Sequence, residues 1–156
     1  FNGKCCRSIG ISYFQLSKPA EAMTWLQRAL AFDEDDGEAL SILGELYLDE
    51  KEGNDIALKF MEKSLELENS NRQFMLRLAR GFNVCGRYEK AIPLLKNCVK
   101  SSKFRAAAWL ELSRSYKGLK KYTKVRYYLK KLIDGKHTPR NIKTKARLYY
   151  SEIKAG

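Results

Sequence analysis

The 156-residue chain is 44% hydrophobic and 31% charged, with a net charge of +12, a composition that suits one domain with a continuous but narrow core. It excludes a membrane-spanning helix, because no apolar run approaches the roughly 18 residues a span requires. Four cysteines and one histidine, oddly spaced, exclude a disulfide framework or a zinc site and suit a reduced, cytoplasmic setting. No secretory leader is visible, and an opening of Phe1-Asn2 rather than methionine reads as an excerpt from something longer.

The predicted elements repeat one pattern. Residues 3–36 carry Cys6-x2-Ile9-Gly10-x2-Tyr13 and then Ala22-x3-Leu26, closing on the acidic run Asp33 to Asp36. Residues 37–71 carry Leu40-x2-Leu43-Gly44-x2-Tyr47 and Ala57-x3-Met61, with one extra residue absorbed in the turn Glu52-Gly53-Asn54. Residues 72–105 carry Met75-x2-Leu78-Ala79-x2-Phe82 and Ala91-x3-Leu95, and residues 106–139 carry Trp109-x2-Leu112-Ser113-x2-Tyr116 and Val125-x3-Leu129. A last helix over 140–155 has an apolar stripe of Ile142, Ala146, Tyr149, Tyr150 and Ile153; it either caps the final hairpin or begins a partial fifth unit. A period of about 34 residues with two amphipathic halves predicts an all-α stack of hairpins, because no single hairpin can bury its own apolar face.

Each slot has a physical reason. Gly10, Gly44, Ala79 and Ser113 are small where the two helices of a hairpin cross closest, and Ala22, Ala57 and Ala91 answer them from the second helix. Tyr13, Tyr47, Phe82 and Tyr116 are placed to fill the space between successive hairpins. Asp33 to Asp36, Asn69-Ser70-Asn71, Ser101-Ser102 and Thr138-Pro139 offer oxygens to the free amides of the following helices.

The pattern resembles the tetratricopeptide repeat, over residues 3 to about 139. It departs from that family where a proline usually ends each unit: Glu34, Asn69 and Lys103 stand there, and Pro139 falls two residues late. The resemblance implies a single domain over 1–156, a right-handed superhelical solenoid of about four units plus the C-terminal helix. It also implies a concave groove lined by the first helix of each unit, and a role as a protein–protein interaction module or adaptor scaffold.

Charge is unevenly spread. Residues 1–71 carry 7 Lys and Arg against 14 Asp and Glu, and residues 72–156 carry 23 against 4. In the third and fourth units the groove positions hold Gln73, Leu76, Arg77, Arg80, Asn83 and Val84, then Ala107, Leu110, Glu111, Arg114, Lys117 and Gly118; the second unit offers Glu38, Ser41, Ile42, Glu45, Leu48 and Asp49. An acidic peptide or protein partner is therefore expected at Arg77, Arg80, Asn83, Arg114 and Lys117, with Ile11, Ile42, Leu76 and Leu110 as apolar anchors. The resemblance also suggests the clamp that grips acidic chaperone tails, but its five places hold Arg7, Ile11, Ile42, Gln73 and Arg77, and both asparagines are missing.

Two other readings compete. The basic half could bind RNA or single-stranded nucleic acid through lysines interleaved with Tyr122, Tyr127, Tyr128, Tyr149 and Tyr150. The chain could instead recruit substrate for a larger enzyme, or self-associate end to end through opposite charge. There is no glycine-rich phosphate loop, Gly-x-Ser-x-Gly elbow or metal-spaced histidine pair, and His137 reads as a surface linker residue. No catalytic, cofactor or metal site is expected, and the chain is read as non-enzymatic.

Overall fold

A computed structural model describes residues 2–48 and 54–155. Among these residues all regular structure is helical: α1 (Gly3–Gln15), α2 (Pro19–Phe32), α3 (Gly37–Tyr47), α4 (Asn54–Leu67), α5 (Arg72–Val84), α6 (Tyr88–Cys98), α7 (Ser102–Gly118), α8 (Tyr122–Asp134) and α9 (Arg140–Ala155). One helix pair falls in each of the four sequence units, and α9 follows them. Glu52 and Gly53 of the expected absorbing turn, and the groove position Asp49, lie outside the described residues. The chain forms two compact units, Phe1–Gly81 and Phe82–Gly156, which part within α5.

In the first unit, side-chain caps start three helices. Asn2 accepts from the Cys5 amide at 2.9 Å, Asp36 from Ala39 at 3.1 Å and Asn71 from Phe74 at 3.2 Å, while Pro19 opens α2, where a missing N–H costs nothing. The acidic run does more than cap. Arg7 of α1 grips Asp36 at 3.0 Å, and Lys63 of α4 pairs with Asp35 at 2.9 Å and donates to the Glu34 carbonyl. The hydrogen bond to Asp35 raises the Lys63 ammonium above its usual value against slight desolvation. Arg7, a place in the tail clamp, is thereby committed to the α1–α3 junction.

The close crossings are tight. A Cβ on Gly10 would sit 2.7 Å from Leu26 Cγ, and one on Gly44 would sit 2.5 Å from Met61 Cγ and 2.9 Å from the Ala57 carbonyl oxygen. Around these crossings Cys6, Ala22, Leu26, Ala29, Ala39, Ile42, Leu43 and Leu46 form a buried cluster. Tyr47 stacks on Phe60 with ring centroids 5.7 Å apart and accepts a hydrogen bond from Gln27, which joins α3 to both α2 and α4. Gly44→Ala should therefore lower stability by about 1–3 kcal/mol, since backbone as well as Met61 must yield; an unchanged denaturation midpoint would contradict this packing.

In the second unit, Ala91, Leu95, Cys98, Leu112, Val125, Leu129, Leu132 and Ala146 are buried, so α9 contributes to the same core as α6, α7 and α8. The start of α7 corrects one expectation. Ser101 occupies the N-cap position but its side chain makes no capping hydrogen bond. Arg105 ties this junction instead, its Nε donating to the Val99 carbonyl at 2.9 Å.

Three hairpin turns share one geometry that their sequences disguise. Ser17, Gly86 and Lys120, each four residues after the aromatic of its unit, have φ of 56°, 73° and 59°. Next to them the amides of Lys18, Arg87 and Lys121 reach back to the carbonyls of Tyr13, Phe82 and Tyr116 at 2.8–3.0 Å. This is the paired bonding of a left-handed helix stop, which favours glycine. Lys120→Gly should accordingly raise stability by about 0.5–1 kcal/mol by removing Cβ crowding; a fall in melting temperature would refute that origin of the turn.

Candidate partner-binding site

The expected groove residues divide between the two units, and most are already engaged. In the first unit Arg77, on α5, is 13% exposed; its Nη1 donates to Ser41 Oγ at 3.2 Å and its Nε lies 3.2 Å from Glu45 Oε2. The Nε–carboxylate contact is off-line for a hydrogen bond, so it is an ion pair held by position. Burial pulls this guanidinium below its usual range; Glu45 and Glu38 oppose that and Arg80 adds to it. Arg77 thus joins α3 to α5 through an internal charge pair. Arg80 lies one turn further along α5, half-buried.

Ile42 and Leu76 are 1% and 3% exposed, and in the second unit Leu110 is 5% exposed. The anchor role expected for these three residues is corrected: they are core side chains with no open face for a ligand. Ser41, also expected in the groove, is fully buried. Only Ile11 of the expected anchors keeps part of its surface. The groove face of these helices is therefore narrower than a 3.6-residue period suggests.

In the second unit a polar network replaces the expected open strip. Asn83 donates from Nδ2 to both the carbonyl and the Oε2 of Glu111, each at 3.1 Å, and accepts from Ser115 Oγ at 2.7 Å. Glu111, 3% exposed, also takes an ion pair from Arg114 Nη1. These partners of the buried carboxylate sit on α5 and α7, so Asn83 fixes the register of those helices rather than presenting a free amide.

Helix α9 then lies over the remaining cations. Arg114 donates from Nε to the Tyr149 hydroxyl at 3.3 Å, and both Arg114 and Lys117 face the Tyr149 ring, at 5.6 and 5.4 Å from its centroid. Lys117 Nζ also stands 3.9 Å from Glu152. Burial acts to lower the Arg114 guanidinium, but Glu111 and Tyr149 outweigh it and raise it above its usual range.

Between α7, α8 and α9 two adjoining pockets remain open. One, of about 370 Å3, is walled by Tyr88, Ser113, Arg114, Lys117, Val125, Tyr149 and Ile153; the other, of about 530 Å3, by Lys117, Tyr122, Arg126, Glu152 and Ile153. Gly118 lets the Tyr88 ring pack directly on α7 beside the first, since a Cβ there would fall 2.2 Å from Tyr88. Arg114 and Lys117 are thus brought together as expected from their spacing on α7. Tyr88, Tyr122 and Arg126 fall outside the expected groove, because they lie on second helices of their hairpins. The signal that points to them is the face of α9 carrying Tyr149, Glu152 and Ile153, three residues apart or adjacent, which needs a matching wall.

Among the described residues no group of three or more His, Cys, Asp or Glu side chains is placed to hold a metal, and no helix is long and apolar enough to cross a membrane. No family model and no curated protein matches the chain. Solved structures do match. MamA from Desulfovibrio magneticus RS-1 is 19% identical over 98% of this chain and 93% of its own, with a TM-score of 0.72. PilF of Pseudomonas aeruginosa is 18% identical over 96% and 69%, with a TM-score of 0.77. Both are tetratricopeptide-repeat proteins, and this chain has that all-helical repeat fold.

Replacing Arg77 by Ala should destabilise the protein by about 1–2 kcal/mol, because it leaves Glu45 and the buried Ser41 hydroxyl without a partner; partial exposure of Glu45 keeps the effect below that of a fully buried pair. Urea denaturation measures it, and an unshifted midpoint would return Arg77 to the class of free surface cations.

Proposed function

We propose that this chain is a non-enzymatic protein–protein interaction scaffold, and that its second unit receives an acidic partner in the cleft between α7, α8 and α9. The fold supports the scaffold reading: stacked hairpins offer extended rigid surface, and the buried polar side chains are used to join helices. Cysteines that form no disulfide suit an intracellular setting.

One observation carries the acidic specificity. Residues 82–156 hold 20 Lys and Arg against 4 Asp and Glu, and two of those four, Glu111 and Glu152, are already paired with Arg114 and Lys117. The cleft walls add Arg126 and the aromatic faces of Tyr122 and Tyr149, which supply both charge and apolar area to an acidic segment. Arg77 and Asn83, by contrast, serve the interior.

A fluorescein-labelled glutamate-rich peptide titrated with the protein would test this by anisotropy at two salt concentrations. Lys117→Glu with Arg126→Glu should weaken binding at least about tenfold and flatten its salt dependence, since rim charges act on steering and screening. Equal affinity in the wild type and the double variant would remove the cleft from consideration.

A further inference from the structure

A second surface of the same unit has different chemistry. The α6–α7 and α8–α9 junctions enclose a pocket of about 300 Å3 walled by Ser102, Arg105, Ala106, Trp109, Gly135, Lys136, His137 and Thr138. Its lining combines an indole with the cations Arg105 and Lys136. The pocket is held open by packed elements: Arg105 is fixed by its bond to the Val99 carbonyl, and the loop closes so tightly at Gly135 that a Cβ there would lie 2.4 Å from Thr138 Oγ1.

Beside it runs an aromatic and cationic ladder. Lys131 Nζ lies 5.1 Å from the Trp109 ring centroid and 4.7 Å from that of Tyr127. Tyr127 is half exposed and meets Tyr128 edge-on at 5.2 Å, while Tyr128 stacks on the buried Tyr116, so Tyr127 and the partly exposed Trp109 are the rings this surface offers. Planar rings repeated beside cations suit a ligand that itself alternates a flat ring with an anion, which is the composition of an unpaired polynucleotide.

We infer that the second unit binds single-stranded nucleic acid, with one base stacked in the Trp109 pocket and the adjoining phosphates met by Arg105, Lys131 and Lys136. The exposed Tyr127 provides a further ring for the strand. This site shares no residue with the α7–α8–α9 cleft, so either reading can fail while the other stands.

The test uses a 12-nucleotide oligouridine and the emission of Trp109, isolated by Trp25→Phe. Titration should quench that emission. Trp109→Leu, which keeps apolar bulk, should weaken binding about 5- to 100-fold, the range of one lost base stack. Affinity should fall with added salt at a log–log slope of about −2, as expected for three neutralised phosphates on a single strand. If Trp109→Leu fails to fold by circular dichroism, Arg105→Glu with Lys136→Glu, both exposed, tests the same pocket from its rim and should likewise weaken binding. Absence of binding at low salt, binding that leaves Trp109 emission unchanged, or complete displacement by polyglutamate at equal charge concentration would each overturn the inference.

Discussion

Everything else in this chain depends on how closely two helices can approach at a single small residue. Gly10 against Leu26 and Gly44 against Met61 leave no room for a Cβ, so the first two hairpins meet along their centres rather than at the tips of long side chains. That contact fixes the angle between the helices, and the angle decides which residues turn inward. A helical hairpin so built keeps one apolar face uncovered, which a further helix must bury. In the second unit α9 supplies that cover with Ala146 buried and Tyr149 laid over α7.

The polar side chains of the first helices serve the same end. Arg77 with Glu45 and Ser41, and Asn83 with Glu111 and Ser115, sit where apolar residues would pack without preferring one register. A bond between two particular atoms admits only one alignment, whereas a row of leucines admits several. These pairs therefore tie particular positions of neighbouring helices to one another.

Much of this is legible in the amino-acid sequence, for a definite reason. The small and aromatic slots recur at a fixed period, and each is a packing requirement, so the helices and their pairing follow from spacing alone. The site is less legible because spacing reports which face of a helix a residue occupies and not how much of that face its neighbours cover. Ile42, Leu76 and Leu110 sit on the expected side of their helices but are buried. Arg114 and Lys117 are adjacent as their spacing requires, yet their contacts with Glu111, Tyr149 and Glu152 come from another turn and another helix. The left-handed turns at Ser17 and Lys120 carry no glycine, so among the described residues Gly86 alone signals that geometry.

The charge asymmetry then takes on a more particular meaning than net charge suggests. In the first unit, cations and acids meet across helices, as Arg7 with Asp36 and Lys63 with Asp35 do, and residues 1–81 keep a modest acidic excess of 14 Asp and Glu over 10 Lys and Arg. In the second, four acids cannot neutralise twenty cations, and the buried Glu111 takes its share inside. Solubility alone would be served by cations scattered over a polar surface. Some of them are instead held against rings, as Lys131 is between Trp109 and Tyr127 and Lys117 over Tyr149, and the first unit does the same with Lys18 on Tyr13 and Arg28 on Trp25. A cation over a ring stays attracted to external anions while its side chain loses freedom, so less entropy remains to be lost on binding.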